Sequence, residues 1–360
     1  MAALSEQARR IKPDHERRMA YRLKLKASLA LEVRRIALEQ IELARSALSR
    51  GSDHASAVHD ARRSLKRLRA MLRLVRPAVG ENWFKDGNRQ LAELGQRLAR
   101  RRDLDVMVVT LSKLENGNGG LAKAVADRLR RAVLRSRRQA NGPVAPQADR
   151  SLGSDLRRAE RLFSSERLRS IELAHIADGL QQSYRRARHA FRDAYDCDSD
   201  EAFHNWRKRT QAHWRHMQLL GRGWPESIGA RAAEAKELSR LLGEDHDLSV
   251  LLAFARGEDC RELSAHDLAA LTAASLAAQR QIRDVAKLHG ERLFADRPGQ
   301  LTKRILRYWK AAEGLSTLLL PVQEPSPTRA PSAPARAIAA SRASADNSRS
   351  RRQSRKRPSA

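Results

Sequence analysis

Two histidine-headed runs of cations carry the residue types best suited to phosphate chemistry. The first reads His59-Asp60-Ala61-Arg62-Arg63-Ser64-Leu65-Lys66-Arg67-Leu68-Arg69, and the second His204-Asn205-Trp206-Arg207-Lys208-Arg209-Thr210-Gln211. A guanidinium grips two phosphate oxygens with its planar fork, and an imidazole titrates near neutrality. On a helix of about 100° per residue, Arg62, Lys66, Arg69 and Arg73 fall within roughly 80° of His59. Leu65, Leu68 and Leu72 form the neighbouring apolar stripe, so one side packs and the adjoining side is a cationic ladder. In the second run Phe203, Trp206, Thr210 and Met217 make the stripe. Arg207, Lys208, Gln211 and Arg215 lie near His204.

A solvated helix face is the plain alternative for either run. Such a face usually interleaves Glu with Lys and Arg, because like charges at i, i+4 repel. From Ala61 through Val79 there is no Asp or Glu, so something outside the helix is expected to offset the repulsion. A histidine beside arginines could also attack or protonate a phosphate. No convincing carboxylate partner accompanies either one, so no catalytic residue is assigned and a non-enzymatic role is expected.

The elements that position these runs read as helix from about Pro13 to Leu320, in heptad-like Ala, Leu, Arg and Glu spacing. The expected helices run from near Asp14 to Ser49, through the His59 run to Pro77, and from about Trp83 to Leu114. Leu121 to Gln139 follows, then a region reaching Tyr195 with a break near Ser164-Ser165. The His204 helix comes next, and then Ser227–Phe254, His266–His289 and Gly299–Leu319. Ser52 or Asp53 and the Asp198-Ser199-Asp200 turn are the capping candidates. Asn141 to Pro146 reads as a linker.

An internal repeat underlies the series. His204 follows His59 by 145 residues, and Asp247 in His246-Asp247-Leu248-Ser249-Val250 follows Asp103 in Arg102-Asp103-Leu104-Asp105-Val106 by 144. The expected fold is all-α, with two tandem, similar bundles of about four helices each. The half-repeats fall near 14–145 and 155–320 of a domain spanning 1–320. Residues 321–360, rich in Pro, Ser, Ala and Arg, are expected to be a disordered basic tail.

The chain has 360 residues, with 71 Lys and Arg against 42 Asp and Glu, and a formal charge of +29. That excess implies an anionic partner: nucleic acid, an anionic membrane or an inorganic polyanion. Cys197 and Cys260 cannot make a disulfide framework, which points to a reducing cytosol. No signal peptide and no apolar run of membrane-spanning length are read. The Glu244-Asp245-His246-Asp247 cluster is not taken as a metal site, because consecutive helical residues point apart. Asp103 and Asp105 are expected to pair with Arg101 and Arg102. No cofactor or metal is expected.

The tandem pattern resembles the CHAD family of histidine α-helical domains. His59, Arg62, Lys66, Arg67 and Arg69 carry the resemblance, with His204, Arg207, Lys208 and the stretches at 102–106 and 245–248. It covers roughly residues 14 to 320. It implies two similar bundles around a basic cleft or pore, binding of inorganic polyphosphate, and association with polyphosphate granules; some members are linked to polyhydroxyalkanoate granules. The second copy departs at Gln211 and Trp214, where the first has Lys66 and Arg69, so the first half is expected to carry more of the binding.

The binding set expected is therefore His59, Arg62, Arg63, Lys66, Arg67, Arg69, Arg73, Arg101, Arg102, His204, Arg207, Lys208, Arg215 and Arg304. Granule-associated proteins are further expected partners. Nucleic acid is the alternative polyanion, weakened by an aromatic content of 4%, since single-strand binding normally uses stacking rings.

Overall fold

The computed structural model describes residues 21–49, 54–98, 100–117, 120–140, 146–261 and 263–318, with the side chains at 54–55, 100–103, 140 and 146–151 outside that description. Among the described residues the regular structure is entirely helical. It comprises α1 (Leu29–Ser49), α2 (His54–Val79), α3 (Glu81–Arg97), α4 (Arg100–Asn116), α5 (Lys123–Ala140) and α6 (Pro146–Phe163). After these come α7 (Leu173–Cys197), α8 (Asp200–Leu220), α9 (Pro225–Ala255), α10 (Ala265–Leu293) and α11 (Pro298–Leu318).

Local chemistry explains the boundaries. Ser199 caps α8 by accepting from the Ala202 amide at 3.2 Å. Pro225, which lacks the amide proton that a first turn leaves unused, opens α9. Ser264 and Asp267 form a reciprocal capping box on α10. Arg128 of α5 then grips the buried Asp267 with two bonds, at 2.9 and 2.5 Å. The break near Ser164 is present, with a 3₁₀ turn at Glu166–Leu168 before α7.

Three expectations are corrected. Among the described residues, the helix that ends at Ser49 starts at Leu29, so the expected Asp14–Ser49 helix is not continuous: residues 21–28 are used as a non-helical strap. Tyr21 and Leu23 are buried there. The Tyr21 hydroxyl donates to the Arg67 carbonyl at 3.0 Å, and the Leu23 amide to the Leu219 carbonyl at 2.9 Å. Pro77 lies inside the last turn of α2, which continues to Val79. The expected helix from Trp83 to Leu114 is two helices, α3 and α4, that meet at Leu98. The Ser52/Asp53 cap, residues 141–145 of the expected 141–146 linker and the tail at 321–360 lie outside the described residues, while Pro146 belongs to α6.

The helices can be set side by side in chain order across the two expected half-repeats. α1 and α2 answer to α7 and α8, the pair α3 and α4 to the single long α9, and α5 to α10. The first helix of each set lies on its basic helix, α1 on α2 and α7 on α8. Packing does not divide at the repeat boundary, however. One large core joins Leu65, Leu68 and Leu72 of α2 to Ile176 and Leu180 of α7, and to Trp206 and Met217 of α8. A smaller core joins Leu104 and Leu111 of α4 and Leu129 of α5 to Leu251 of α9 and Leu271 of α10. The helices between 21 and 318 thus belong to one compact unit.

Two glycines set close approaches. A Cβ on Gly290 of α10 would stand 2.6 Å from Phe191 and 2.8 Å from Trp206, within the aromatic cluster behind α8. A Cβ on Gly179 of α7 would stand 1.8 Å from the Leu74 carbonyl oxygen of α2. No side-chain rotation relieves a backbone clash, so Gly179→Ala must push α7 away from α2. Gly179→Ala is expected to lower stability by about 3 kcal/mol or more. Gly229→Ala, at a helical position with open space around it, is expected to raise it by roughly 0.5–1 kcal/mol. Urea titration of the two variants distinguishes these signs.

Candidate functional site: a cation-lined cleft

The apolar stripe of α2 fixes where its cations point. With Val58, Ala61, Leu65, Leu68, Leu72 and Val75 buried, Arg62, Lys66, Arg69 and Arg73 are left along one edge. α8 crosses α2, and the two are pinned by the His216 ring, whose Nε2 donates to the Ala70 carbonyl at 2.8 Å. α3, α4 and α9 complete the walls. The result is a cleft of about 600 Å³.

Among the described residues, seven cations line it against one carboxylate, Asp247. Arg62, Lys66, Arg69 and Arg73 come from α2, and Arg207, Lys208 and Arg215 from α8. His204 and His246 add two rings, stacked with centroids 4.0 Å apart and planes inclined at 29°. Gln211 and Gln96 contribute neutral polar groups.

Three α2 arginines of the cleft each donate to a neutral acceptor. Arg62 Nη1 donates to the Gly95 carbonyl of α3 at 2.8 Å. Arg69 Nε donates to Asn88 Oδ1, also of α3, at 3.0 Å. Arg73 Nη1 donates to the Arg69 carbonyl at 2.9 Å. A carbonyl or amide orients a guanidinium without cancelling its charge. Outside the cleft the pattern reverses. Arg76 pairs with Glu81, Arg97 with Asp155, Arg240 with Glu237 and Glu244, and Arg283 with Asp198, Asp200 and Asp245.

Electrostatics register the imbalance. Burial, then Arg69, Arg209 and Arg76, lowers Arg73 to about 9. Burial lowers Arg69 as well. Arg215, almost fully buried with its guanidinium 4.6 Å over the Trp214 ring, is lowered to about 10. Burial is the main cause there, with Arg67 and Arg63 adding to it against Tyr21. His204 is lowered to about 4 by burial, then Lys208 and Arg207. His246 is lowered to about 3 by burial, then His204, Arg207 and Lys208, with Asp200 opposing. At neutral pH the rings are uncharged and the cations are not.

The structure gathers most of the expected set and leaves part of it elsewhere. Arg62, Lys66, Arg69, Arg73, His204, Arg207, Lys208 and Arg215 line the cleft; His59, Arg63, Arg67 and Arg304 do not. His59 is exposed on an early turn of α2. Arg63 pairs with Asp60, and Arg304 with Asp296. Arg67 turns into the core, where Nη1 donates to Gln40 Oε1 at 3.1 Å and the guanidinium lies 4.8 Å from the Tyr21 ring centroid. The Arg101 and Arg102 side chains lie outside the described residues, as does that of Asp103. Asp105, expected beside them, pairs with Arg137 at 3.2 Å.

His246 and Asp247 are cleft residues missing from the expected set. Their cluster was visible in the chain, but Glu244 turns to Lys113 and Arg240, and Asp245 to Arg283. Only the fold brings His246 onto His204. Among the described residues no group of three His, Cys, Asp or Glu could hold a metal ion, and no helix is long and apolar enough to cross a membrane.

No curated protein matches the chain. Among solved structures, PptA from Streptomyces chartreusis is 17% identical with a TM-score of 0.50, covering 72% of this chain and 96% of that one. The CHAD domain from the plant Ricinus communis is 20% identical with a TM-score of 0.49, covering 75% and 94%. A family model, the CHAD domain, matches residues 33–256, a segment that contains every helix lining the cleft. Matched over more than half its length, the chain belongs to the CHAD domain family.

Proposed function

We propose that this chain binds inorganic polyphosphate in the cleft between α2 and α8, without catalysing its turnover. The observation that carries the reading is that, among the described residues, seven cations face one carboxylate, with Arg62, Arg69 and Arg73 each donating to a neutral acceptor. Polyphosphate binding is a known property of the CHAD family. The ligand is a flexible chain of repeating charge that presents no bases. A surface of convergent guanidinium and ammonium groups matches it, and release of its counterions supplies much of the affinity. The site residues proposed are Arg62, Lys66, Arg69, Arg73, His204, Arg207, Lys208, Arg215 and His246. The protein would then act in the cytoplasm as a scaffold at polyphosphate granules, together with granule-associated proteins.

The direct test is calorimetric titration of the full chain with long-chain polyphosphate at several salt concentrations, beside single-stranded DNA. Affinity should fall with a log–log salt slope between about −3 and −5. The Arg62→Ala/Lys66→Ala/Arg69→Ala variant should lose about a hundredfold or more, at roughly 1 kcal/mol per phosphate contact. Equal affinity for DNA, or an unaffected variant, would move the reading to general polyanion or nucleic-acid binding.

Holding these cations together costs stability in the free protein. Arg73→Met keeps the aliphatic stem and removes the charge, so it should raise free-state stability by about 1 kcal/mol while weakening polyphosphate binding. Thermal melts with and without ligand check both signs; a destabilised, tight-binding variant contradicts the proposal.

The stacked histidines predict a pH dependence. Facing His204 and His246 are Arg207, Lys208, Asp200 and Asp247. Both rings sit below the ordinary histidine value when folded, and so do His213 and His216. The unfolded chain therefore binds more protons, and the free protein should lose stability as pH falls below about 6.5. A bound polyanion raises the cleft rings, so polyphosphate affinity should rise from pH 7 to 5 with proton uptake. Calorimetry in buffers of different ionisation heat reads that uptake, which His204→Asn/His246→Asn should abolish.

A further inference from the structure

A second cavity adjoins the cleft. It encloses about 420 Å³ between α4, α9 and α10. Its walls are mainly aliphatic, from Val109 and Leu114 of α4, Leu248 of α9, and Ala278 and Ile282 of α10. Val106 and Asp247 line both cavities and form the sill between them. An apolar chamber of this size, with a few polar groups at its edge, has the character of a small-molecule site.

The charges select the occupant. Two further carboxylates edge the chamber, Asp105 and Glu244. Asp105 pairs with Arg137, and Glu244 with Lys113 and Arg240, which leaves the chamber close to neutral beside a strongly cationic cleft. A ligand bridging the two would carry several negative charges at one end and an uncharged, flat or apolar body at the other. Its middle would lie at the Asp247 sill. A carboxylate there repels an anionic head but accepts hydrogen bonds from hydroxyl groups. An alkyl phosphate has no donor to offer at that point, whereas a nucleoside polyphosphate has its sugar hydroxyls there. Its base would lie among the valine, leucine and isoleucine side chains, and its phosphates would enter the cleft.

We infer that the two cavities together form a binding site for nucleoside polyphosphates, with the base between α4, α9 and α10, the sugar at Asp247 and the phosphates among the α2 and α8 cations. This rests on the phosphate-binding reading of the cleft and adds a chamber that a bare phosphate chain has no use for.

The test titrates the full chain with ATP, tripolyphosphate and dodecyl phosphate, without divalent cations. ATP and tripolyphosphate offer comparable charge, so a difference between them reports the chamber. ATP should bind roughly tenfold tighter than tripolyphosphate, as expected for one base packed against side chains. Val109→Trp fills the chamber from a position that is 56% exposed, so the fold tolerates it. That variant should bring ATP down to the tripolyphosphate level and leave tripolyphosphate unchanged. Equal affinity of ATP and tripolyphosphate for the unmodified chain, or an ATP affinity untouched by Val109→Trp, overturns the inference and leaves the polyphosphate reading standing. Dodecyl phosphate binding more tightly than ATP overturns the nucleoside assignment. Binding of ATP without tripolyphosphate or long-chain polyphosphate would support the chamber and remove the polyphosphate reading instead.

Discussion

Repulsion among like charges held in a half-buried cleft is the constraint on which the remaining structure depends. The positive side chains of α2 and α8 would separate if solvent and backbone allowed it. The fold prevents this by burying the apolar stripe of each basic helix, so that rotating either one would expose leucine and tryptophan to water. The crossing is then fixed by groups that add no negative charge: the Ala70 carbonyl on His216, the Gly95 carbonyl on Arg62 and the Asn88 amide on Arg69. A carboxylate at any of these places would orient the same guanidinium and cancel the field it creates. Neutral anchoring is the arrangement in which the cations are both positioned and still attractive to an anion.

The two halves of the repeat acquire their sense from this cleft. Each contributes one basic helix, covered from behind by its own first helix, and neither half alone encloses anything. The second ladder is the weaker in sequence, with Gln211 and Trp214 where the first has Lys66 and Arg69. Gln211 nonetheless faces the cleft, and Trp214 supports the guanidinium of Arg215. Cross-packing of the halves follows. A cleft floored by α2 and α8 requires α2 to touch α7 and α8 as well as α1, and Gly179 stands hard against Leu74 where α7 meets α2.

What the sequence made legible is what a single helix decides. The stripe of Leu65, Leu68 and Leu72 and the ladder of Arg62, Lys66, Arg69 and Arg73 follow from a period of about 3.6, and the structure keeps them on separate faces. Helix ends marked by Ser199 and the Ser164-Ser165 break were legible for the same local reason. Arg67 was not, because nothing in its own helix tells that Tyr21 and Gln40 will cover that flank. His246 was not, because its partner His204 lies on another helix. The start of α1 was missed because residues 21–28 have helical composition but find better use as a strap over α2 and α8.

The net charge of +29 is a poor guide to where an anion binds. Arg63, Arg76, Arg97, Arg283 and Arg304 add to it as much as Arg69 does, yet each stands beside a carboxylate. An anion approaching those arginines must displace an existing partner and gains little. At Arg69 and Arg73 the partner is an amide or a carbonyl, and the neighbours are further cations whose mutual repulsion an anion relieves. Binding free energy there includes the relief of strain already present in the free protein. Stability and affinity are therefore opposed at the same residues, and a change that makes the empty cleft more comfortable should make it a worse receptor.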